Sequence, residues 1–123
     1  MVIKTTLTAK NYNATLKPAL KLFKGDIIYV EFTLVYSLIS SINGKHVEDS
    51  IPLNTLERVE LKLKTPSGEI ETFESLEIVE NRARFRIQVS DEIGEYPFMI
   101  VCYDSDGCVF HLPPCDYTIV DTI

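Results

Sequence analysis

The stretch Val59-Glu60-Leu61-Lys62-Leu63-Lys64-Thr65-Pro66-Ser67-Gly68-Glu69-Ile70-Glu71-Thr72-Phe73 decides the fold class. Val59, Leu61 and Leu63 alternate with Glu60, Lys62 and Lys64, the period of a strand with one buried and one wet face. Thr65-Pro66-Ser67-Gly68 reverses the chain, with Pro supplying a fixed φ and Gly a positive one. Residues 69–73 return as the partner strand. Ala83-Arg84-Phe85-Arg86-Ile87-Gln88-Val89 repeats the same alternation after a turn at Glu80-Asn81.

Outward from this hairpin the signals stay those of strands. Val2-Ile3-Lys4-Thr5-Thr6-Leu7-Thr8 is rich in β-branched residues and predicts a first strand. Residues 14–23 contain Pro18, which confines any strand there to an edge or interrupts it. Both this segment and the first strand are expected at sheet edges. Lys24-Gly25-Asp26 is a turn. Residues 27–39 form the most apolar run and predict a buried central strand. Residues 40–54, with Asn43-Gly44 and Pro52, predict a long loop with at most a short hairpin at Asn43-Gly44. Toward the C-terminus, residues 90–94 predict a corner with one capped helical turn. Residues 95–103 read as a strand, Asp104-Ser105-Asp106-Gly107 as a hairpin turn, and 116–120 as a last strand.

The pattern predicts an all-β chain: an antiparallel, immunoglobulin-like β-sandwich of about seven to nine short strands, with a small closed barrel as the alternative. Its 123 residues suit a single domain over 1–123. A chain of this size buries roughly two-thirds of its surface on folding, enough for a core without staples.

Composition narrows function. Twelve Lys+Arg stand against eighteen Asp+Glu, a net charge of −6, and no Lys/Arg cluster is expected that could offer a nucleic acid the basic field it requires. Anionic membrane is disfavoured likewise, and no apolar run has the length of a membrane span. The N-terminus lacks the features of a signal peptide. The three cysteines, Cys102, Cys108 and Cys115, are an odd set that fits a reducing compartment.

Candidate chemistry is sparse. His46 and His111 lie near no nucleophile motif. Cys102, Cys108, His111 and Cys115 are zinc-type ligands, but their C-x5-C-x2-H-x3-C spacing is no standard site, and buried thiols are the simpler reading. Asp104-x-Asp106-Gly107 opens like a calcium loop, yet Cys115 stands where its terminal Glu belongs. Glu69, Glu71, Glu74 and Glu77 read as a solvated outer face rather than a glycosidase pair. No catalytic residue, metal or cofactor is expected.

Several pieces, in order, resemble a known family. Ile93-Gly94-Glu95-Tyr96 leads into an apolar strand, then Tyr103-Asp104-Ser105-Asp106-Gly107, then Leu112-Pro113 before a final strand. Upstream, Gly25-Asp26 precedes Phe32-Thr33-Leu34, and Leu61-Lys62-Leu63-Lys64-Thr65-Pro66-Ser67-Gly68 forms a Lys-x-Pro-x-Gly hairpin. Over residues 20–120 this set resembles the N-terminal domain of phage baseplate upper proteins of Gram-positive bacteria. Residues 40–54 and the cysteines depart from that pattern. The resemblance implies a non-enzymatic virion protein in the tail baseplate of a phage, prophage or tailocin, assembled in the bacterial cytoplasm. It implies docking onto the tail hub through the distal tail protein, a link to receptor-binding proteins, and a homo-oligomer in the assembled baseplate.

The interaction surface is expected in residues 40–54, where Ile42, Val47, Ile51 and Leu53 are hard to place in a core. A host-encoded carbohydrate- or protein-binding module of the same fold is the alternative. It calls for an exposed row made from Tyr29, Tyr36, Tyr96 and Tyr103.

Overall fold

The computed structural model describes the backbone of residues 1–123 and every side chain except those of Ile39, Ser40, Ile42 and Val47. The described residues form twelve strands: β1 (Val2–Lys10), β2 (Asn13–Lys17), β3 (Lys21–Phe23), β4 (Ile27–Ile42), β5 (Lys45–Pro52), β6 (Leu56–Lys64), β7 (Ile70–Glu74), β8 (Glu77–Val79), β9 (Arg82–Gln88), β10 (Gly94–Asp104), β11 (Val109–His111) and β12 (Cys115–Val120). They build two sheets packed as a sandwich. Sheet A runs β2-β1-β4-β9-β8 with β5 also on β4; sheet B runs β3-β12-β10-β6-β7 with β11 also on β10.

The alternation read in the sequence sets the register of both sheets. Val59, Leu61 and Leu63 of β6 turn inward beside Phe98, Ile100 and Cys102 of β10. Ala83, Phe85 and Ile87 of β9 turn inward beside Ile28, Val30 and Phe32 of β4. The sheets meet through aromatics. Phe32 contacts Phe85 within sheet A (ring centroids 5.8 Å apart) and Phe98 across the sandwich (5.9 Å). Phe98 in turn touches Tyr117, which stacks on Tyr96 at 5.4 Å. Interdigitating inner faces of this kind carry most of a sandwich's burial energy.

Four expectations are corrected. The sheets are mixed rather than antiparallel throughout: β1 pairs β4 in parallel, and β3 pairs β12 in parallel. The cause lies in residues 13–23, one pass of chain that changes sheet near Pro18, so that β2 completes sheet A and β3 completes sheet B. Proline fixes φ and offers no N–H, so it breaks the ladder where the chain must cross. One intervening pass leaves β4 running in the direction of β1. Accordingly β1 is an interior strand, bonded to β2 and β4, while the Pro18 segment supplies an edge of each sheet. Residues 90–93 turn without a helix.

The fourth correction matters most. Residues 40–54 are not a loop but most of a long hairpin. β4 continues to Ile42 and β5 pairs back on it from Ile42↔Lys45 to Val35↔Pro52. Counting both sides of this hairpin and the sheet-switching segment raises the strand number above nine.

Candidate functional site

The β4–β5 hairpin is an arm. β1 pairs with β4 only as far as Ala9↔Tyr36, so the remaining six residues of β4 run about 20 Å further at strand rise. The arm's tip is Asn43 and Gly44, with φ of 53° and 76°. Two successive positive φ values make the tight turn that matches strand twist, which is why Asn-Gly stands there. Among the described residues β5 pairs with no strand but β4, which leaves its outer edge without a strand partner. The accessible surface, 7484 Å², exceeds the roughly 6,700 Å² of a compact chain of this mass, as a projecting ribbon requires.

The arm is clasped at its base. Glu48 Oε1 on β5 accepts hydrogen bonds from Ser37 Oγ of β4 (2.6 Å) and Lys10 Nζ at the end of β1 (3.3 Å). Ser37 is buried beneath this pair. The Ser37 hydroxyl, and then the Lys10 ammonium, hold the Glu48 carboxyl below the usual carboxylate range. Leu38, just beyond Ser37, and Ile51, which pairs with Tyr36 at the base, are 47% and 43% exposed. Leu53, at the root, donates its N–H to Leu34 O and packs against the core. Of the residues expected at an interface, Ile51 is exposed at the arm's base and Leu53 sits at its anchor. The side chains of Ile42 and Val47 lie outside the described residues.

The cysteines do not converge. Cys102 faces the core and desolvation pushes its thiol up to about 12. Cys108 is exposed, and Cys115 is half-buried with its thiol raised by desolvation. His111 pairs with Val101, one position out of phase with Cys102, so pleat alternation sends the two to opposite faces. Among the described residues no group of three His, Cys, Asp or Glu could hold a metal. Asp104 Oδ1 is engaged by the N–H groups of Asp106 and Cys108, both at 2.9 Å, as a turn residue.

Nor do the four tyrosines form a row. Tyr96 is buried, its hydroxyl donating to Glu92 O. Tyr103 lies under Arg58, whose guanidinium carbon is 3.9 Å from the ring centroid, and donates to Glu60. Tyr29 is 40% exposed on the outer face of sheet A, while Tyr36 is half-buried on the inner face.

Two outer faces hold features that the linear sequence hides. On sheet B, Ile70, Pro97, Met99 and Pro114 line a groove of about 330 Å³ together with Lys62 and Lys64. On sheet A, strand register gathers Lys4 and Lys10 of β1, Lys17 of β2, and Arg82, Arg84 and Arg86 of β9. Only three carboxylates share that face, Glu31, Glu48 and Glu77, so its formal charge is +3 in a chain of −6. Lys4 and Arg84 flank Glu31 at 4.0 and 3.4 Å. The expectation of no basic cluster is therefore corrected: Arg82, Arg84 and Arg86, at every second position of β9, share this face with Lys4 and Lys10 of β1 and Lys17 of β2.

Comparison with known proteins adds the fold. No family model matches the chain. No curated protein matches it either. Among solved structures it is similar to the N-terminal domain of phage TP901-1 ORF48, with 16% identity and a TM-score of 0.55, covering 97% of this chain and 98% of that one. The chain shares that domain's fold. The likeness spans the mixed sandwich from end to end. Among the described residues, no helix is long and apolar enough to cross a membrane.

Proposed function

We propose that this chain is a non-enzymatic structural module of a phage, prophage or tailocin tail baseplate, docking onto the tail hub and linking it to receptor-binding proteins. The observation that carries the reading is the end-to-end likeness to a phage protein's N-terminal domain at nearly equal length. The ordered turn motifs from Gly25-Asp26 to Leu112-Pro113 support the same reading independently.

The arm is the docking element in this reading. A two-stranded ribbon is marginal by itself in water and gains from a third strand or an apolar face laid against it. Its open β5 edge suits strand addition, and Leu38 and Ile51 supply apolar contact. The distal tail protein is the partner proposed for it, and the assembled baseplate is its location. Mass spectrometry of purified tail particles tests the structural role. Recovery in fixed ratio to the tail proteins is expected. Its absence from intact particles contradicts the reading.

A further inference from the structure

Cation and carboxylate are segregated side by side at one corner of the sandwich. Arg86 projects from the outer face of sheet A, directly across from Tyr29, and among the described residues no carboxylate lies within 4.0 Å of its guanidinium. Ile27, one pair further along, is 56% exposed and faces Gln88. Gln88 also borders an open cavity of about 570 Å³ that contains Glu71 and Asp91. Asp26 closes the same corner, since its carbonyl accepts from Val89 N. None of these three acids forms an ion pair among the described residues.

We propose that this corner is a self-complementary interface through which two copies of the chain associate about a two-fold axis. Arg86 of each copy enters the acidic cavity of the other, and Ile27 and Tyr29 pack at the centre. An isologous contact needs a patch carrying both halves of the match, so that what one copy gives it also receives. Here the halves are neighbours: alternate strand residues lie about 7 Å apart, and Gln88 is the residue between cation and cavity. Exposed Arg and Tyr beside aliphatic surface are the residues enriched at protein interfaces. The net charge of −6 opposes association in general and disfavours a nucleic acid as the occupant. This inference rests on charge placement and not on the baseplate reading.

Charge exchange tests it. Sedimentation velocity of the full chain over a concentration series is expected to show monomer–dimer exchange that weakens with salt, as screening shortens from about 30 Å at 0.01 M to about 3 Å at 1 M. Arg86→Glu and Asp91→Lys are each expected to weaken the dimer at least tenfold. An equimolar mixture of the two variants should restore it, because one copy's new acid then meets the other's new base while the unaltered pair survives. Both sites are at the surface, and unchanged circular dichroism confirms the fold. A strictly monomeric chain overturns the proposal, as does a dimer indifferent to both single changes. Species growing beyond dimer overturn the two-fold closure. Binding of a duplex oligonucleotide that competes with association would reassign the face to nucleic acid.

Discussion

Phe32 of β4 and Phe98 of β10 meet across the sandwich with ring centroids 5.9 Å apart and an interplanar angle of 46°. Each sits at the centre of its sheet, and each is 2% exposed or less. This contact joins the sheet that bears the arm to the sheet that closes the chain. Phe98→Ala leaves a cavity against Phe32 and Tyr117, and a loss of about 3–5 kcal/mol is expected. Urea unfolding measures it through a lower midpoint at unchanged slope.

The thiols should separate by reactivity. Thiolate is the nucleophile, so a buried, desolvated thiol is inert at neutral pH. Iodoacetamide followed by peptide mass spectrometry should label exposed Cys108 first and half-buried Cys115 more slowly. Cys102, with its thiol pushed up to about 12, should react only on unfolding. Labelling of Cys102 in the native protein would show that the β10 core opens readily.

Glu48 couples the arm to pH. Its folded carboxyl titrates below 4.5, so the clasp is intact at neutral pH and is lost as the pH falls through that lower folded value. Ser37→Ala removes the largest cause and should raise the Glu48 midpoint back toward 4.5. Carboxyl-detected NMR reads the midpoint, and the protection factors of the β5 amides, corrected for the intrinsic exchange rate, should fall on acidification in the same window.

Gly94 opens β10 at φ +138°, and a Cβ there would stand 3.1 Å from Pro66 Cγ. The backbone conformation strains any side chain there, and Pro66 would have to give way by a few tenths of an ångström. Gly94→Ala should cost more than about 1 kcal/mol, measured by denaturant unfolding. This gives the Ile93-Gly94-Glu95-Tyr96 motif a mechanical reason: Gly94 passes close to the 65–68 turn while Tyr96 anchors its hydroxyl on Glu92.

Strands whose two faces differ were legible in the sequence. β6 and β9 show clean alternation because one face meets the core and the other meets water. β5 does not, since the described side chains of Lys45–Pro52 are all exposed, so Val47 and Ile51 fall among polar residues without a regular alternation. Only Asn43-Gly44 marks it. Parallel pairing of β1 with β4 is equally hidden, because register between strands separated by a sheet crossing leaves no local trace. The cationic face of sheet A follows the same logic. Lys4, Lys10, Lys17, Arg82, Arg84 and Arg86 never form a run, and only pairing brings them together. Of the residues expected at an interface, Ile51 rides a strand and Leu53 packs against the core, placements that a loop reading of residues 40–54 could not give.

Size-exclusion chromatography with light scattering tests docking through the arm most directly. The chain is mixed with the distal tail protein of the same genome, beside a variant in which Asn-Gly replaces residues 39–48 and rejoins the Leu38↔Asp49 pair, with Leu38→Ser and Ile51→Ser added to remove the exposed apolar contact. A joint peak of fixed stoichiometry with the intact chain, lost with the shortened arm while its fold persists, is the predicted result. A chain that elutes alone beside the tail protein, or a complex that forms equally well without the arm, would contradict it.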